Sequence, residues 1–164
     1  MAANTTFVAG AIYTAAQSND FPRGQVAEAG ATATTSIANV TATTILTKDA
    51  LIVPGRIYSV SGLAFFQSGS IIGSKAMWFA QSSFLRQLFY TGLAQGANLP
   101  FSMGGTSYFA AADVGVTTGS GTTLTFTLRV RFSGGATGLN TNPDGVIGAG
   151  SAPQIFLITD VGSA

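Results

Sequence analysis

From Thr123 to Phe132 the chain reads TLTFTLRVRF, with Leu124, Phe126, Leu128, Val130 and Phe132 alternating with Thr123, Thr125, Thr127, Arg129 and Arg131. A period of two puts the apolar set on one face of a strand and the Thr/Arg set on the other. Such a strand belongs to an antiparallel sheet wetted on one side, because strands of a parallel sheet are covered on both faces and read as unbroken apolar runs. GRIYSVSGLAFF predicts a second strand over residues 57–66, led in by the Pro54-Gly55 turn, and SIANVTATTIL predicts another, where Thr and Val suit the pleat. Further strands are expected near 71–79, 107–116 and 154–159.

Gly-rich turn clusters, SGGATG, TTGSGTT, TNPDG and GAGSAP, separate these runs. Many short strands divided by such turns argue for an all-β, antiparallel β-sandwich of jelly-roll-like form, not for a parallel sheet with crossover helices. Two stretches leave room for a short helix. Thr14 and Gln17 have capping-box spacing, and SSFLRQLFYTG is helix or irregular strand, its periodicity deciding neither.

With 164 residues the chain has the length of one domain, able to bury roughly two-thirds of its unfolded surface. Charged residues make up 8% of it, against about 25% in an average globular protein, and the net charge is +1. A surface of Thr, Ser, Asn, Gln and Gly with so little self-repulsion favours association. Arg23, Lys48, Arg56, Lys75, Arg86, Arg129 and Arg131 are scattered, which argues against nucleic acid as a partner, since phosphate binding needs concentrated cations. Arg129 and Arg131 share one strand face, as a solvated edge or a subunit contact would have them.

Catalytic sets lack parts. There is no His and no Cys, so a serine nucleophile has no imidazole base, and neither a thiolate nor an ordinary zinc set can be assembled. The acids Asp20, Glu28, Asp49, Asp113, Asp144 and Asp160 lie apart, each beside a turn or terminus where a solvated, capping or turn-forming role suffices. Asn140, Asn142, Asp144 and Gly145 match the first, third, fifth and sixth positions of a calcium loop, but its twelfth is Ser151 in place of the bidentate Glu, and Pro143-Asp144-Gly145 makes an ordinary turn. The glycines of SGGATG and GVIGAG form no phosphate cradle. The reading is of a protein without catalytic residues, metal or cofactor.

Two apolar segments look outward. In APQIFLITD, Ile155, Phe156, Leu157 and Ile158 are apolar on both faces of a strand, so one face is expected to meet the core and the other a neighbouring copy. The leader TTFVAGAIYTAAQSND carries Phe7, Val8, Ile12 and Tyr13. It has no basic residue ahead of its apolar core and is too broken to span a bilayer, so neither export nor a membrane anchor is expected. Residues 1–24 read as an N-terminal arm and 25–164 as one sandwich domain, with 24–31 as a Gly- and Ala-rich extended tether between them.

The leader's Phe7-x-Ala9-Gly10 with Thr14-Ala15 and Asn19, the Gly55-Arg56-x-Tyr58 opening of a strand, and the closing Asp160-Val161-Gly162 together resemble small virion structural proteins of tailed bacteriophages. Thr159 stands where a second acid is frequent in that group, and Ser163 where Pro is frequent. The resemblance implies a jelly-roll-like sandwich, usually trimeric, mounted on a phage head or tail. Two expectations follow. One is a homotrimeric capsid decoration (cement) protein bound to the major capsid protein through Phe7, Val8, Ile12 and Tyr13, with Ile155 to Ile158 at the oligomer interface. The other is a minor tail protein or fibre tip, held by tail proteins and meeting a host receptor through loops such as TNPDG or QGANLP. A carbohydrate-processing or carbohydrate-binding sandwich is a third class, for which Trp78 near an Asp is the candidate.

Overall fold

The computed structural model describes residues 21–31, 37, 41–67, 73–92, 101–133, 140–141 and 154–164. One sheet has the order β1 (Gly24–Ala31), β9 (Gln154–Ser163), β3 (Arg56–Gln67), β6 (Phe101–Ala110), with the two-residue β8 (Asn140–Thr141) beside the end of β3. The other has the order β2 (Thr43–Ile52), β7 (Thr122–Phe132), β4 (Lys75–Gln81), β5 (Phe84–Thr91). Every pairing is antiparallel. The chain passes between sheets at nearly every connection, so that sequence neighbours face each other across the core, and this is the winding of a jelly roll.

The core is filled by the inward halves of both sheets. Phe126, Leu128, Val130 and Phe132 of β7 share it with Tyr58, Val60 and Phe66 of β3, Met77 and Phe79 of β4, and Phe156 and Ile158 of β9. Phe109 lies at its centre, its ring 5.3 Å from Tyr58, 5.4 Å from Phe79 and 5.6 Å from Phe126. Each such pair adds about 0.5–1.5 kcal/mol to what area burial alone provides. Where β5 crosses β6 the sheets close up, and Gly62 and Gly105, directly paired, make that possible. A Cβ on Gly105 would collide with the Leu88 carbonyl, and one on Gly62 would stand 2.8 Å from Leu128 and 2.9 Å from Leu88.

Several expectations change. Residues 24–31 are not a tether: Gly24–Ala31 is a strand paired along β9, with Ala27 buried and Val26 and Ala29 packed on the core. Small residues suffice there, because the strand's backbone covers the edge that β9 would otherwise expose. Of residues 82–91, left open between helix and strand, Phe84–Thr91 is strand. Ser82 adopts φ 49° in a two-residue turn after which Gln81 pairs with Phe84, so the hairpin fixes what periodicity left open. The strand expected over 107–116 stops at Ala110, where the Asp113 carboxylate accepts the Ala110 N–H at 2.9 Å and a 3-10 turn covers Ala111–Val114. The leader's capping-box turn, most of the TNPDG loop and all of QGANLP lie outside the described residues.

Candidate functional site

Among the described residues no three His, Cys, Asp or Glu side chains gather into a metal-binding group. Asp160 departs most from the expected solvated or turn-forming role. It is 1% exposed and its carboxylate is held by Arg56 through Nε at 2.9 Å and Nη2 at 2.6 Å, while the Gly162 N–H donates to it at 3.0 Å. Arg56 also donates from Nη2 to the Phe21 carbonyl at 2.6 Å, and Ala164 N–H donates to the Gly55 carbonyl at 2.8 Å. The Gly55-Arg56-x-Tyr58 and Asp160-Val161-Gly162 patches thus meet in one corner that clamps the start of β3 to the end of β9. A planar guanidinium gripping a buried carboxylate with charge-assisted hydrogen bonds fixes the geometry of this corner. Beside it, burial raises the Tyr58 phenol above its usual 10.0, while its oxygen accepts the Val53 N–H at 2.8 Å. Lys75 is pushed below its usual 10.5 by burial and lies 4.5 Å from the centre of the Phe101 ring.

The remaining acids among the described residues are dispersed. Asp49 accepts the Thr125 hydroxyl at 2.6 Å, Asp113 faces Arg86 at 3.5 Å on the surface, and Glu28 accepts from Gln25.

The outer face of the first sheet carries a shallow, largely apolar hollow. Ile155 and Leu157 point outward, half-buried, and with Ser61, Leu63, Gly104 and Thr106 they line this hollow of about 360 Å³, with Glu28 of β1 the cross-strand neighbour of Leu157. Phe156 and Ile158, expected beside them in an oligomer interface, are instead fully buried in the protomer's own core. The period of two allows no other outcome: once one pair faces in, the other faces out. Phe7, Val8, Ile12 and Tyr13 lie outside the described residues.

The outer face of the second sheet differs. The register across β7, β4 and β5 sets three rows: Arg131, Ala76, Tyr90; then Arg129, Trp78, Gln87; then Thr127, Ala80, Leu85. Two hollows of about 290 and 300 Å³ meet at Trp78 and Gln87. Arg129 and Arg131 share one face as expected, but on a central strand rather than an edge. Trp78 has an arginine and a glutamine as its cross-strand neighbours, not an aspartate. Tyr90, Leu85 and Gln87 escaped sequence reading because their strand was undecided. A hairpin signal was present in the adjacent serines, though not the Asn-Gly or Gly-Gly that usually marks one.

Among the described residues no helix is long and apolar enough to cross a membrane. No protein-family model matches the chain, and no curated protein matches it. Among solved structures it is similar to a chain in the structure of the Gx strain of infectious bursal disease virus, with 13% identity over 88% of this chain and 42% of that one, at a TM-score of 0.38. A chain from the Gt strain gives 15% identity, 89% and 39% coverage and a TM-score of 0.37. This chain therefore spans about two-fifths of the length of those chains. Likeness of that degree leaves function to the chain's own residues.

Proposed function

We propose that the protein is a non-enzymatic structural subunit of a tailed-bacteriophage virion, a homotrimer that decorates the head shell and binds the major capsid protein through residues of its leader, Phe7, Val8, Ile12 and Tyr13. The observation that carries the reading is the apolar strip of Leu63, Ile155 and Leu157 on the first sheet, beside the glycine at 104. An apolar patch of this kind on a chain of such low charge marks a contact with another protein. The sequence resemblance supports both the phage setting and the trimer.

Copy number in purified particles separates head from tail. A decoration protein follows the shell lattice in abundance, whereas the second reading, a minor tail protein or fibre tip, requires only a few copies. Light scattering tests the assembly. The wild type is expected to be trimeric, and Leu157→Lys monomeric with its melting temperature nearly kept, because the new charge is solvated in the free protomer and stranded in the interface. A wild-type monomer at micromolar concentration rejects the trimer. Deleting residues 1–20, which spares the Phe21 carbonyl that Arg56 grips, is expected to abolish particle binding while leaving the fold intact. Undiminished binding rejects the anchor.

A further inference from the structure

We propose that the cleft between Arg131 and Tyr90 on the second sheet binds the carboxylated residue of an acidic oligosaccharide, with the next sugar over the Leu85 side of Trp78. The site is independent of where on a particle the protein sits. Its floor is Ala76, flanked in register by Arg131 on β7 and Tyr90 on β5. Strands lie about 4.8 Å apart, so those two side chains rise from backbones nearly 10 Å apart, enough to seat one pyranose ring. Trp78 walls the next row, and Ser74 and Ser133, whose hydroxyls are 2.6 Å apart, close the end.

Each wall matches one feature of such a ligand. The aromatic faces of Trp78 and Tyr90 take the C–H face of a sugar ring, and Tyr90 is 59% exposed. Gln87 offers an amide donor and acceptor to hydroxyls from the wall shared by both hollows. The guanidinium of Arg131 fits a carboxylate with two parallel hydrogen bonds. Charge fixes the sign. Among the described residues neither Arg129 nor Arg131 has a carboxylate partner, since Asp113 pairs with Arg86, Asp160 with Arg56, and Asp49 is bonded by Thr125. The Leu85 hollow is walled by Trp78 and Gln87 and is bordered by no arginine, which suits a neutral sugar there. Aromatics beside arginines also suit single-stranded nucleic acid, but that partner demands a cationic track along several phosphates. Two arginines set among Ser, Thr and Gln do not provide one.

The single Trp of the chain stands in the site and reports on it. Intrinsic fluorescence of the full-length protein would be titrated with sialyllactose and with trigalacturonate as acidic probes, with lactose and maltotriose as neutral ones, and with an oligothymidylate. A saturable change is expected with at least one acidic probe. Arg131→Gln is expected to weaken it about ten- to a hundredfold, the loss of a charge-assisted pair. Ala76→Leu, which fills the floor, is expected to abolish it. Both positions face outward, and far-UV circular dichroism would show the fold retained. No saturable response to either acidic probe, an equal response to neutral probes, tighter binding of the oligothymidylate, or affinity unchanged in both variants would each overturn the proposal.

Discussion

Strands β7 and β9 occupy matching places, each central in its sheet and each alternating buried with outward residues along its length, yet they spend their polar residues in opposite ways. In β7 everything buried is apolar, with Leu124 half-buried against the core near its start, and everything outward is Thr or Arg. In β9 the outward Ile155 and Leu157 are apolar, whereas the inward series begins with Gln154 and reaches Asp160, both 1% exposed. Polarity and burial therefore coincide in one strand and part in the other. A polar side chain goes inside when a fixed partner waits there: the Phe65 backbone for Gln154, Arg56 for Asp160. The outward apolar pair is what remains for a neighbour.

The comparison breaks most visibly at Asp160. Asp160→Ala leaves Arg56 buried without its anion and is expected to cost about 3–5 kcal/mol in urea unfolding. Phe126→Ala in β7 is expected to cost a similar 3–5 kcal/mol through an empty core site. Equal losses from a charged and an apolar residue would show that the two strands are anchored to the same depth by different chemistry; a loss below about 1 kcal/mol at Asp160 would mean that the clamp is dispensable. Gln154→Ala, which leaves the Phe65 N–H and carbonyl without their side-chain partner, is expected to cost about 1–3 kcal/mol.

Tyr58, paired across from Asp160, sharpens the contrast through pH. Its phenol titrates above the usual 10.0 in the folded protein because it is buried, so the stability it confers is complete below pH 10 and is lost as pH rises through the higher folded value. Lys75, held below 10.5, acts with opposite sign, since the unfolded chain binds its proton more readily and stability rises with pH there. Tyr58→Phe is expected to cost about 1 kcal/mol at neutral pH through the hydrogen bond to Val53, and to lose less stability than wild type when unfolding is followed from below to above pH 10. A parallel decline in both proteins would rule out the tyrosine. Smallest of all, Thr123→Val on the outward face of β7 should change stability by no more than about 0.5 kcal/mol.

Much of the architecture was legible before any coordinates. The TLTFTLRVRF alternation placed every side chain of β7 on its correct face, and the Gly-rich turns announced a sandwich of short antiparallel strands. Legibility ended where backbone pairing, not side-chain character, makes the strand. Gly24–Ala31 is built of small residues and reads as a tether, yet becomes β1 because the edge of β9 offers it hydrogen bonds. Phe84–Thr91 carries mixed periodicity, and only the Ser82-Ser83 turn against β4 makes it a strand and brings Tyr90 and Gln87 beside Trp78. Arg56 and Asp160 stand 104 residues apart, and nothing local to either foretells the other.

The sequence by itself determined the class of fold, the inward face of its clearest strand, the low charge, and the want of imidazole and thiol chemistry, since these follow from composition and from a period of two. Tertiary structure alone decided which of Ile155, Phe156, Leu157 and Ile158 faces outward, which carboxylate is buried, and which aromatic meets which arginine. Facing in a strand that is apolar on both sides, and proximity between residues distant in the chain, are set by register and by sheet packing. Those are relations among strands, and no single stretch of sequence contains them.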